Sequence, residues 1–80
     1  MASIRVENIQ PGQIDSERIA VVEMADGKKE EVFASVRQIK DSYMDVGEVG
    51  RDGDLVLVEL PRESVTGRWR VWVKSEAFRA

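Results

Sequence analysis

Apolar residues in this chain come in short runs, and almost every run is closed by a turn signal. Ile4 and Val6 alternate with Arg5 and Glu7 before Gln10-Pro11-Gly12 breaks the pattern. Arg18 to Met24 (RIAVVEM) is nearly continuous and apolar, and Ala25-Asp26-Gly27-Lys28 follows as a hairpin turn of the Asp-Gly type. Lys29 to Val36 is then the partner strand. Leu55 to Leu60 (LVLVEL) is entered through Arg51-Asp52-Gly53-Asp54 and stopped by Pro61; a polar loop, Arg62 to Gly67, leads to Arg68 to Lys74 (RWRVWVK). Segments this short bury an apolar face only by pairing with one another, so the spacing predicts a small all-β barrel or sandwich. Ser75 to Ala80 reads as a loose end whose Phe78 docks on the body of the protein.

One stretch changes period. Val36, Ile39, Tyr43 and Val46 recur at three and four residues, with Arg37, Gln38, Lys40, Asp41 and Asp45 on the other side, which predicts one short amphipathic helix ended by Gly47 and Gly50. The resulting order is three strands, a helix and two strands. That is the order of a five-stranded Greek-key barrel of the OB-fold type. An SH3-like barrel is the alternative, and it would place its helical turn between the fourth and fifth strands. Eighty residues make one domain, 1–80. No internal repeat, charge block or low-complexity tract is visible.

Composition narrows the chemistry. Lys+Arg 12 against Asp+Glu 15 gives a net charge of −3, with no cysteine and no histidine. A disulfide framework, a thiolate metal site and imidazole acid–base chemistry are therefore excluded. Ser3, Ser16, Ser35, Ser42, Ser64, Ser75 and Thr66 have only lysines or carboxylates as bases, so a non-catalytic protein is expected. The spacing of Asp41, Asp45, Glu48, Asp52 and Asp54 matches no divalent-ion loop, and Gly47, Gly50 and Gly53 do not make a phosphate loop. No metal and no cofactor are expected. Lys28-Lys29-Glu30-Glu31 reads as a charged hairpin tip that aids solubility. Charges at Arg5, Glu7, Asp15, Glu17 and Arg18 leave no signal-peptide apolar core, and no run suits a membrane span, so the expectation is a soluble, cytoplasmic protein without a membrane partner.

The most informative segment is Arg68 to Lys74. A period of two sends Trp69, Val71 and Val73 to the core and Arg68, Arg70, Trp72 and Lys74 to the opposite face. Cations around an indole suit a phosphate backbone with a stacked base. The alternative is that Trp72 packs beneath Phe78 with solvated cations beside it. Residues 1–60 hold 7 Lys+Arg and 13 Asp+Glu, net −6, and residues 61–80 hold 5 and 2, net +3, so the closing strand is the basic part of an acidic chain. Either a weakly held polyanion or an acidic protein partner fits that asymmetry.

In the order and spacing of Asp26-Gly27, Val32-Phe33, Gly53-Asp54, Val58-Glu59-Leu60 and Thr66-Gly67-Arg68, the chain from Arg18 to Val73 resembles the cold-shock domain and bacterial translation initiation factor one. The resemblance implies an OB-fold that binds RNA or single-stranded DNA, with Phe33 at an aromatic stacking position. Ile19 and Val21 stand where that family carries aromatics, and Ser35 stands where it usually has an imidazole. The nucleic-acid surface expected is thus Phe33, Arg37 at the rim, Arg68, Arg70, Trp72 and Lys74. The competing expectation is a protein-interaction or assembly module, with a protein partner or a homo-oligomer meeting the outward Leu55 and Leu57.

Overall fold

In the computed structural model, which describes residues 2–80, the chain forms ten short strands in three antiparallel sheets. They are β1 (Ser3–Arg5), β2 (Glu7–Pro11), β3 (Glu17–Glu23), β4 (Lys29–Ser35), β5 (Ile39–Lys40), β6 (Tyr43–Asp45), β7 (Gly47–Asp52), β8 (Leu55–Glu59), β9 (Arg70–Lys74) and β10 (Phe78–Arg79). Three-residue 3-10 turns, Val36–Gln38 and Ser75–Ala77, follow β4 and β9. The sheets run β10-β1-β6-β5, β2-β3-β4 and β7-β8-β9. The all-β class holds, but the sheets form no closed barrel and the strands number ten rather than five.

The helix expected over Val36 to Val46 does not form. Its place is taken by the first 3-10 turn and the β5–β6 hairpin, whose turn residues Asp41 (φ 53) and Ser42 (φ 69) are both left-handed. That is the geometry of a two-residue type I′ turn, in which Asp is one of the favoured residues. Val36 and Ile39 owe their three-residue spacing to the 3-10 turn, while Met44 and Val46 are buried with a period of two. Two short periods joined end to end thus mimic a helical one. Nor is the C-terminus loose: β10 pairs with β1, Phe78 packs against the core and Arg79 stacks 3.7 Å over the Tyr43 ring.

Alternation decides the core. Ala20 and Val22 on β3, Val32 and Ala34 on β4, Val56 and Val58 on β8, and Val71 and Val73 on β9 all point inward, with Ile4 and Met44 between the sheets' contributions. Small β-branched residues suit a crowded interior lined by pleated surfaces.

The element order repeats. β1 to β4, a 3-10 turn and β5 are followed by β6 to β9, a 3-10 turn and β10. Pairing respects the repeat: Ile4 faces Met44, Ser3 faces Asp45 and Arg5 faces Tyr43, so exchanging the halves maps this ladder onto itself. β10 closes on β1 as β5 closes on β6. β2 and β7 each carry a register shift, between Glu7 and Gln10 and between Glu48 and Gly50. The fold is an internal pseudo-twofold, contrary to the expectation of no repeat. Sequence comparison within the chain misses it because equivalent positions are 40 residues apart at Ile4 and Met44 but 39 apart at Phe33 and Trp72, and few pairs are identical.

Candidate contact surface

β9 behaves as its alternation predicts between Arg70 and Lys74: Val71 and Val73 are buried, and Arg70, Trp72 and Lys74 face out. Trp69 is a correction. Expected in the core, it is 54% exposed. The ladder ends at Arg70; Leu60 still donates its N–H to the Trp69 carbonyl at 2.8 Å, but the next cross-strand bond is Ser64 to Arg68. Three residues on one strand then face none on the other, and the pleat that would aim Trp69 inward is lost. With Trp72 at 39% exposure, both indoles meet solvent.

Across the sheet, Trp72 is paired with Leu57, Lys74 with Leu55, and Arg70 with Glu59. Leu55 and Leu57 are half-buried and share the outer face with Trp72. Beside them lies an open groove of about 540 Å³, lined by Met24, Asp26, Asp52, Leu55, Arg68, Arg70 and Trp72 among others. The structure therefore brings Arg68, Arg70 and Trp72 together. Lys74, on the same face, borders a smaller cavity of about 150 Å³ with Arg5, Glu7, Glu23 and Glu76. Phe33 lies on a different sheet, opposite Ile19. Arg37 is exposed on the 3-10 turn after β4, where Ser35 Oγ accepts its N–H at 3.2 Å and Gln38 Oε1 accepts the Ser35 N–H at 2.9 Å.

Two of the four cations already have partners. Arg70 Nε lies 3.2 Å from Glu59 Oε1, and Arg68 Nε lies 3.5 Å from Glu30 Oε2. Asp26 and Asp52 line the same groove, so its charges are mixed rather than basic.

Glu30 was not legible as more than a charged tip, yet it is buried at 7% exposure. Thr66 Oγ1 donates to Glu30 Oε1 at 2.6 Å, and Val65 donates its N–H to the Glu31 carbonyl at 2.9 Å. The Thr66 and Ser64 hydroxyls, with Arg68 beside them, hold the Glu30 carboxyl below its ordinary range against the opposing cost of burial. The carboxylate fastens the 61–69 loop, which carries Arg68 and Trp69, to β4. Parity was the available signal: Glu30 shares its alternation with Val32 and Ala34, and an inward carboxylate needs partners. The converse contact fastens the other tip, as Ala25 donates its N–H to the Trp72 carbonyl at 2.8 Å. Each half thus covers one edge strand of the other. Lys29, by contrast, is an exposed cation whose pKa is raised by its 2.8 Å hydrogen bond to Glu7 and by that carboxylate's charge.

No family model, curated protein or solved structure matches this chain. Among the described residues, no helix is long and apolar enough to cross a membrane.

Proposed function

We propose that the protein is a non-catalytic protein-association module whose contact surface is the outer face of β7-β8-β9 around Trp72. The observation that carries this reading is an outward indole paired across the sheet with half-buried Leu57, on the face of half-buried Leu55 and beside an open groove. Aromatic and Arg side chains around an aliphatic centre are the composition of protein interface cores. The charges weigh against the rival reading of an RNA or single-stranded DNA surface. A phosphate backbone needs uncommitted cations, whereas Arg68 and Arg70 face Glu30 and Glu59, two aspartates line the groove, and the chain is net −3. Phe33, the stacking residue implied by the cold-shock resemblance, is on another sheet. For the finer architecture, the 3-10 turn after the fourth strand of each half fits the SH3-like alternative better than the OB order.

The test is selection of peptides from a random twelve-residue library on the immobilised protein, followed by titration of the winners against Trp72→Ala. Winners that lose tenfold or more of their affinity, about 1.4 kcal/mol, on the variant support the reading. Winners that bind both proteins equally, no winners at all, or quenching of the indole emission by a single-stranded oligonucleotide at low salt would each overturn it.

A further inference from the structure

The sheet β10-β1-β6-β5 takes its strands alternately from the two halves of the chain, 3–40 and 43–79. Each of its ladders, β10 with β1, β1 with β6 and β6 with β5, joins one half to the other. The sheets β2-β3-β4 and β7-β8-β9 each stay within a half. They are tied across by the Ala25 N–H on the Trp72 carbonyl, the Val65 N–H on the Glu31 carbonyl and the Thr66 hydroxyl on Glu30. Neither half therefore completes the shared sheet alone. Each needs a complementary half, and a two-residue turn, Asp41-Ser42, is what makes that half its own.

Both residues of the turn are exposed and left-handed, with φ of 53° and 69°. A type I′ turn favours glycine at its second position, where Ser42 carries a Cβ, so the turn is strained. The strain disappears if the turn straightens. Ser42 is already in line for that, since its carbonyl accepts the Val6 N–H at 2.8 Å and so continues the β1–β6 ladder. The register allows it too. Ile39 faces Met44 and Lys40 faces Tyr43, so in an unbroken antiparallel ribbon of two copies Asp41 of one falls opposite Ser42 of the other.

We infer that the protein exchanges halves with a second copy of itself, residues 3–40 of one chain completing residues 43–79 of the other, with Asp41-Ser42 as the hinge. Contacts given up at the Ile4–Met44 axis and at the Glu30 clasp are remade with the partner. Relief at the hinge and the entropy of association are then what set the balance between closed monomer and exchanged dimer. The exchange is reciprocal, so the assembly closes at two chains. Passage between the two forms requires the buried Ile4–Met44 contact to open, which makes it slow. The outer face of β7-β8-β9 lies wholly within one half and is kept in both forms, so the exchange is independent of what the Trp72 face binds.

The test is to refold the full chain from urea at about 10 µM and at about 1 mM and to separate the products by size exclusion, since mass action favours the dimer at the higher concentration. A dimer should form there and persist after dilution. Asp41→Asn with Ser42→Gly, the pair a type I′ turn prefers, should lower the dimer fraction about tenfold. Asp41→Val with Ser42→Val should raise it, because β-branched residues are all but excluded from positive φ. Circular dichroism checks folding, and if the valine pair fails to fold, the Asn-Gly pair decides alone.

A covalent trap identifies the exchange itself. Val6 bonds to the Ser42 carbonyl and Val46 to the Ala2 carbonyl at 3.0 Å, so Ser3 and Asp45 form a pair without hydrogen bonds between them. The Cα atoms of such a pair lie about 4.5 Å apart, within reach of a disulfide. The chain has no cysteine of its own. The dimer of Ser3→Cys with Asp45→Cys, treated with oxidised glutathione, should run on a denaturing, non-reducing gel at twice the 9.0 kDa of one chain. If that variant fails to fold, Arg5→Cys with Tyr43→Cys, the next pair of the same kind, replaces it with the same expected outcome. A wild-type chain wholly monomeric after refolding at the higher concentration overturns the inference. So does a dimer fraction indifferent to the hinge variants. So does an oxidised dimer that runs as single chains, the mark of closed monomers meeting by their surfaces.

Discussion

Met24–Lys28 and Ser64–Arg68 turn the chain alike with different chemistry. In the first, Met24 donates its N–H to Lys28 and accepts from Gly27; in the second, Ser64 donates to Arg68 and accepts from Gly67. The glycines have φ of 89° and 92°. One tip seats a buried methionine, and the other seats a buried serine beside a buried carboxylate. The halves share backbone requirements, a left-handed residue at the fourth position and a matching register, but differ in the side chains filling the space behind each turn. What the first half does with apolar packing, the second does with a hydrogen-bonded clasp.

The hardest blow to this equivalence would come at the axis. Ile4 and Met44 are fully buried and face each other. Ile4→Ala and Met44→Ala should each cost about 3 kcal/mol in urea unfolding, by lost burial and the cavity left behind. A cost under about 1 kcal/mol for either one would show that the two positions are not equivalent.

Next in size is the clasp, where the halves should differ. Glu30→Gln should cost about 2 kcal/mol at pH 7, the value of hydrogen bonds to a charged buried group. Because the folded-state pKa lies below the ordinary 4.5, the carboxylate's contribution is complete above that value and is lost as pH falls below it through the folded pKa. The wild-type protein should therefore converge on the variant in acid, as followed by thermal melts from pH 7 to 3. A gap that persists unchanged at pH 3 would mean that the charge is not what fastens the loop.

The smallest effect should be shared by both halves. Gly27→Ala and Gly67→Ala force a Cβ into the left-handed region and should each cost about 1–2 kcal/mol. Gly50→Ala, with no positive φ and nothing within 4 Å of the added carbon, is the control and should be near neutral. Unequal losses at Gly27 and Gly67 would sharpen the comparison by showing that one tip relaxes where the other cannot.

Much of the local structure was legible. The strands at 18–24, 29–36, 55–60 and 68–74 and the Asp26-Gly27 turn fall within about a residue or two of the expected places, the usual scatter of element ends. So was the outward row Arg70, Trp72 and Lys74, because a clean alternation has one inward solution once a core exists. The segment from Val36 to Val46 imitates a helix because a 3-10 turn followed by a strand reproduces helical spacing. Met44, fully buried, had no place in that pattern. Trp69 escapes its alternation because it lies one residue past a ladder whose end depends on the partner strand. The burial of Glu30 has no local signature, because its partners, Ser64 and Thr66, lie more than thirty residues away.

Period-two patterning and turn chemistry are local, and they encode which segments are strands, which parity of each is buried, and where glycine must bend the chain. Tertiary structure alone decided which strands meet. Pairing of β1 with β6 and β10, the covering of each edge strand by the opposite tip and the burial of Glu30 arise from contacts between distant segments. Their energies depend on register and proximity, which no local pattern carries.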